Sequence, residues 1–234
     1  MTHRFYVGDV VDKSGPMVLG HSVWVNDSSL TKQWLTVLRF RVSEKIVLFN
    51  QSDERLYEID KIEQPGGSVH LQYITDIDKR LPAVHLILFW SLLKNDKNAF
   101  VLQKATELGV REFIPILTEH CENKSFDYER AKLIVKEAAE QCGRFDIPIV
   151  KEPILLSAAL QEYSSIKLLV CEAGGSAKNS EGSDKIGALI GPEGGWSESE
   201  KALFADHKLE HINLSHFILR AETASIVAAA KLVQ

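Results

Sequence analysis

The chain has 234 residues, 45% of them apolar and 25% charged, an ordinary globular balance with enough apolar material for one large core or two small ones. Its formal net charge of −5 at pH 7 argues against a broadly basic nucleic-acid-binding surface. No apolar run reaches the roughly 20 residues that span a bilayer, and the opening Met-Thr-His-Arg-Phe has no secretory h-region, so a cytoplasmic protein without a membrane partner is expected. Cys121, Cys142 and Cys171 are an odd set without metal-site spacing; they are read as reduced, partly buried thiols, and no metal is expected.

Residues 1 to about 78 read as mostly β. Short alternating or apolar runs lie at Ser22 to Val25, Lys45 to Asn50, Leu56 to Ile62 and Ser68 to Ile77. Turn signals separate them at Asn26-Asp27-Ser28, Gln51-Ser52-Asp53 and Pro65-Gly66-Gly67. One short helical pattern lies between Ser28 and Phe40, with Leu30, Trp34, Val37 and Leu38 on one side. A small β-barrel fits this rhythm.

The boundary is placed near Asp78-Lys79-Arg80-Leu81-Pro82, where strand–helix alternation begins. Strands are expected at Val84 to Trp90, Glu112 to Leu117, Ile147 to Val150 and Ile166 to Cys171. Asp96 is expected to cap a helix ending at Gly109, Asp127 to start a long helix ending at Gly143, and Ser157 to cap a third. Such alternation predicts a parallel sheet with helices on its faces and a ligand at the carboxyl ends of its strands. Glu172 to Asp184 is polar and is expected to be a loop.

The densest stretch comes last. An apolar strand, Ile186 to Ile190, stops at Gly191-Pro192-Glu193-Gly194-Gly195. Ser197 and Glu200 then have the spacing of a capping box and start a helix. A strand at His211 to Leu214 and a helix from Glu222 to Leu232 follow. The glycines either serve the turn alone or let a ligand approach exposed backbone N–H groups. Neither the phosphate-binding Gly-Lys-Ser/Thr nor the dinucleotide Gly-x-Gly-x-x-Gly pattern is present.

Leu189 to Gly195, followed by Leu219-Arg220-Ala221-Glu222-Thr223-Ala224, closely resembles the RsmE family of SPOUT methyltransferases. The resemblance continues in Gln103 to Val110 and Glu140 to Arg144, and more faintly in Arg4-Phe5 and Val37-Leu38-Arg39. It implies an α/β fold: residues 79–234 as a SPOUT domain with a deep trefoil knot, and residues 1–78 as a PUA-like RNA-recognition β-barrel. It also implies a homodimer that uses S-adenosylmethionine to methylate N3 of a uridine in 16S ribosomal RNA of the small subunit. The same fold also serves enzymes acting on other RNAs or on a ribose 2′-hydroxyl. A knotted RNA-binding protein without activity is the reading from another class.

The resemblance places the cofactor among Val170, Cys171 and Glu172 at one strand end, and Ile190, Gly191, Pro192, Glu193, Gly194 and Gly195 at the next. Leu214, Ser215, Ile218 and Leu219 close the pocket, with Glu222, Thr223 and Ala224 at the start of the last helix. Glu222 there suits the helix dipole, and Thr223 has the type to satisfy free N–H groups. Arg220 is the candidate for substrate chemistry: a guanidinium beside the uracil carbonyl oxygens would favour the negative charge left when N3 loses its proton. Arg220 also has the chemistry to hold an RNA phosphate or to anchor Glu222. Lys32, Arg39, Arg41 and Lys45, with Arg4 nearby, are either the RNA-binding patch or a solvated charged face. The family usually has Gly and Arg at Ser215 and Phe217, Glu at Ala99 and His at Gln33. Those departures bear on turnover and target choice more than on cofactor binding.

Overall fold

A computed structural model describes residues 2–12, 15–63, 67–121, 124–176 and 184–233. Pro65 and Gly66 of the expected turn, and residues 177–183 of the expected loop, lie outside the described residues. The chain divides into two compact units, Met1–Arg80 with Glu140–Asp146, and Leu81–Ala139 with Ile147–Gln234.

The first unit contains β1 (His3–Tyr6), β2 (Val11–Asp12), β3 (Gly15–Pro16), β4 (Ser22–Val25), β5 (Lys45–Phe49), β6 (Glu54–Ile62) and β7 (Val69–Asp76). Five of these form a sheet in the order β1-β5-β6-β7-β4, with β1 parallel to β5 and the other ladders antiparallel. β2 and β3 pair separately. Alternation does the sorting: along β4, Val23 and Val25 are buried while Ser22 and Trp24 face outward. The inward set packs on fully buried Trp34, Ile46, Leu48, Tyr57, Ile59 and Leu71.

Between β4 and β5, the Asp27 carboxylate accepts from the Ser29 and Leu30 N–H groups and starts α1 (Ser28–Lys32). The helix runs into a π-helical turn, Gln33–Val37, closed by Leu38 N–H donating to the Gln33 carbonyl at 2.9 Å. The wider turn corrects the expected face: Val37 is 69% exposed, and Leu35 packs on the core instead.

The second unit contains β8 (His85–Ser91), α2 (Asn95–Glu107), β9 (Glu112–Leu117), α3 (Tyr128–Cys142, whose last turn groups with the first unit), β10 (Ile149–Val150), β11 (Ile154–Leu155) and α4 (Leu156–Glu162). β12 (Lys167–Ser176), β13 (Lys185–Ile190), α5 (Glu198–Asp206), β14 (Glu210–Ile212) and α6 (Ala221–Leu232) complete it. Every ladder is parallel, in the order β10-β9-β8-β13-β12-β14, with β11 also on β9. The strands are apolar at consecutive positions because both faces are covered. Leu86, Leu88 and Trp90 of β8 pack with α2, α3 and α6, whereas Ile87 and Phe89 pack with α4 and α5.

Three local expectations are corrected. α2 begins at Asn95 with Lys94 in the cap position and no side-chain cap, so Asp96 lies in the first turn, where its charge suits the helix dipole. α4 is preceded by Leu155, again without a side-chain cap, and Ser157 lies inside it. β12 extends to Ser176 rather than ending at Cys171, so the start of the expected loop is strand, with a register shift against β14. Gly109 and Gly143 end their helices at positive φ, +101° and +81°. Among the described residues, no helix is long and apolar enough to cross a membrane.

Candidate functional site

An open cleft of about 890 Å³ lies at the carboxyl ends of β12 and β13. Its walls come from the end of β12, the loop after β13 and the segment entering α6. The loop after β13 is shaped by its own residues. Gly195 takes φ +73°, a left-handed conformation, and its N–H donates to the Pro192 carbonyl at 2.9 Å. The capping box is complete: Glu200 N–H donates to Ser197 Oγ at 3.2 Å, and Ser197 N–H to Glu200 Oε2 at 2.8 Å. The buried Glu200 also accepts from Glu119 N–H at 2.9 Å. Ser199 Oγ donates to the Glu119 carboxylate, and hydrogen bonds from Ser197 and Ser199 hold that carboxyl below its usual range. His120 Nδ1 lies 3.0 Å from the Gly195 carbonyl; an acceptor there places the proton on Nδ1. The loop is therefore fastened on one side to the segment following β9.

The glycines seat the loop against the protein itself. A Cβ on Gly191 would lie 2.9 Å from Trp196 Cε2, and one on Gly194 would lie 3.2 Å from His120 Cβ.

Cys171, Glu172, Ile190 to Gly195, Ile218, Leu219 and Ala224 all line the cleft, and so does Arg220. Leu214 and Ser215 line an adjoining recess of about 90 Å³ that shares Cys171, Glu172, Ile218, Leu219 and Ala224. Val170 does not reach the cleft: it is fully buried with Ile87 and Phe89, because alternation along β12 turns its side chain to one face and that of Cys171 to the other. Thr223 is exposed and lines neither cavity; the cap position of α6 belongs to Arg220, which makes no side-chain cap. Glu222 lies in the first turn of α6, 3.7 Å from Lys97 Nζ.

The sequence reading missed Lys97, Ala173, Trp196 and Lys201, which also line the cleft. Only spatial folding brings the start of α2 here, although Trp196 was adjacent to the glycine loop and open to suspicion. Lys97 Nζ is hydrogen-bonded to Glu193. That bond holds the Glu193 carboxyl below its usual range against a slight burial effect, with help from the charges of Lys97, Lys94 and Arg220. The Glu172 carboxylate accepts from His211 Nδ1–H at 2.7 Å, a pairing also invisible in the sequence. Arg220 is exposed and, among the described residues, makes no ion pair. Burial pushes the Cys171 thiol up to about 12, so it is not a thiolate nucleophile at neutral pH. Cys121 is buried as well, whereas Cys142 is exposed.

In the first unit, Lys32, Arg39, Arg41 and Lys45 are all exposed. Arg39 has φ +58°, and Ser43 between Arg41 and Lys45 has φ +73°. Arg4 is corrected out of this group. It is ion-paired with the buried Glu54, donates to the Arg144 carbonyl at 3.3 Å and lies over the Phe49 ring.

Residues 79–233 match the family model for an RNA methyltransferase domain. Over 208 residues the chain is 34% identical to the ribosomal RNA small subunit methyltransferase E of Rickettsia conorii, covering 84% of this chain and 83% of that one. It is 28% identical over 214 residues to the Bacillus subtilis protein of the same name, covering 83% of each. A crystal structure of a ribosomal RNA small subunit methyltransferase E from Neisseria gonorrhoeae, bound to S-adenosyl methionine, superposes with a TM-score of 0.84 at 27% identity over 98% of this chain and 96% of that one.

Proposed function

The chain belongs to the ribosomal RNA small subunit methyltransferase E family, and on that premise we propose that it methylates N3 of a uridine in 16S ribosomal RNA with S-adenosylmethionine as donor. The observation that carries this reading is the cleft built by the Gly-Pro-Glu-Gly-Gly loop and the Ile218–Ala221 segment, with Arg220 on its wall.

The residues present fit the cofactor. Ile190, Leu219 and Ala224 give apolar surface suited to an adenine face, and the loop backbone gives polar groups suited to its edge. When bound, the cofactor supplies a methyl group activated by a positively charged sulfur. The protein's own contribution is positioning and electrostatics. The Arg220 guanidinium, unpaired within the described residues, is available to hydrogen-bond the uracil carbonyl oxygens. It would stabilise the charge that spreads there as N3 gives up its proton.

The first unit is read as a PUA-like RNA-recognition barrel, with Lys32, Arg39, Arg41 and Lys45 as its phosphate-contacting face. The segment beyond β13 is read as threading a deep trefoil knot, with two copies pairing through the second unit in the cytoplasm. The parallel sheet and the family membership support that reading. A second reading, a knotted RNA-binding protein without activity, is favoured by Phe217, 80% exposed where the family usually has an arginine.

Isothermal calorimetry tests the cofactor half of the proposal. The expected dissociation constant for S-adenosylmethionine is micromolar, about −8 kcal/mol. Absence of binding at millimolar ligand would overturn it.

A further inference from the structure

Lys97 occupies the first turn of α2 and reaches across to two other chain segments at the cleft. Its Nζ is bonded to Glu193 of the loop after β13 and lies 3.7 Å from Glu222 Oε2 in the first turn of α6. The anchor beneath it is firm. Its neighbour Asn98 is buried and makes three hydrogen bonds, accepting from Trp90 Nε1 and Leu93 N–H at 3.0 Å each and donating to the Leu93 carbonyl at 2.8 Å. Lys97 therefore extends from a fixed point at the end of β8.

The two carboxylates differ. Glu193 is 43% exposed and solvated, whereas Glu222 is 15% exposed and its buried Oε2 has no hydrogen-bond partner. The nearby ammonium is what offsets the charge of Glu222 in that position. Arg220, a further cation lining the cleft, makes no ion pair among the described residues.

We propose that Lys97 is a positioning residue: it ties the Glu193 loop to the entrance of α6 and so fixes the width of the cofactor cleft. The inference rests on the function proposed above and adds a residue whose role runs through Glu193 and Glu222. The Lys97–Glu193 arm, with Glu193 43% exposed, contributes little to global stability, so its consequence falls on the local geometry of the walls.

The test measures cofactor affinity, the two Michaelis constants and thermal midpoints for the full-length protein and its Lys97→Met, Lys97→Arg, Lys97→Glu and Lys97→Glu/Glu193→Lys variants. Lys97→Met is expected to weaken S-adenosylmethionine binding by about tenfold. The thermal midpoint should move by no more than about 2 °C, and the KM for ribosomal RNA should stay at the wild-type value. Lys97→Arg, which keeps the charge, should retain most of the affinity, and the charge swap should bind more tightly than Lys97→Glu alone. Wild-type cofactor affinity in Lys97→Met, with the wild type itself binding, would overturn the strap and leave the function standing. A parallel rise in both Michaelis constants, or a swap no better than Lys97→Glu, would also overturn it. A wild type that does not bind S-adenosylmethionine overturns the function and the strap together.

Discussion

Gly194 shows how one missing side chain sets the wall of a binding cleft. A branched residue there meets His120, whose ring holds the Gly195 carbonyl at 3.0 Å. Moving that ring moves the loop, while the core strands beneath stay covered by both layers of helices. Gly194→Val is expected to weaken S-adenosylmethionine binding at least about tenfold while the protein still unfolds cooperatively, since the damage is confined to a loop. Calorimetry and circular dichroism on the same sample check this; unchanged affinity would place the cofactor elsewhere. At this scale the sequence was informative wherever neighbours in the chain are neighbours in space. The glycine loop and the Ser197–Glu200 box are local patterns, and the structure keeps both. Lys97 is 96 residues from Glu193, and no local pattern marks that pairing. The side chain of Val170 was misplaced because it was grouped by strand end rather than by the alternation that separates it from Cys171.

At the scale of elements, the turn-rich connection between α1 and β5 presents Arg39 and Arg41 to solvent, with positive φ at Arg39 and Ser43 fixing the path. Reversing both arginines to Glu is expected to weaken binding to ribosomal RNA and to flatten the salt dependence of affinity by roughly one to two units of log–log slope. Cofactor affinity should not change, because the cleft residues all belong to the other unit. Filter binding across a salt series reads this directly; a double variant with the wild-type slope would make the charges a solvated face. Long, strongly apolar strands such as β8, β9 and β13 were readable because burial on both faces leaves consecutive apolar residues. β1 was not, because its partner β5 lies some forty residues away, pairing His3 with Ile46, and four residues carry little pattern of their own. The two-residue strands β2, β3 and β11 are set by pairing rather than by local preference, whereas β10 falls within the strand expected at Ile147 to Val150. Both misassigned caps followed the same fault: Asp96 and Ser157 have the residue type for a cap, but the preceding backbone, extended at Lys94 and Leu155, starts each helix earlier.

At the scale of the molecule, the formal charge of −5 and the nucleic-acid substrate are compatible because the positive groups are local. One exposed set lies on the first unit, and Lys97, Lys201 and Arg220 lie at the cleft of the second. The all-parallel sheet places that cleft at the strand ends, where α/β sheets bind ligands. The modified nucleoside itself is the most direct readout of the proposed activity. Ribosomal RNA from a strain lacking this gene, digested and resolved by mass spectrometry, is expected to lose one N3-methyluridine from 16S RNA. Purified protein with S-adenosylmethionine should restore it on small subunits from that strain. Unchanged N3-methyluridine in the deletion strain, together with no methyl transfer to its small subunits, would contradict the assignment.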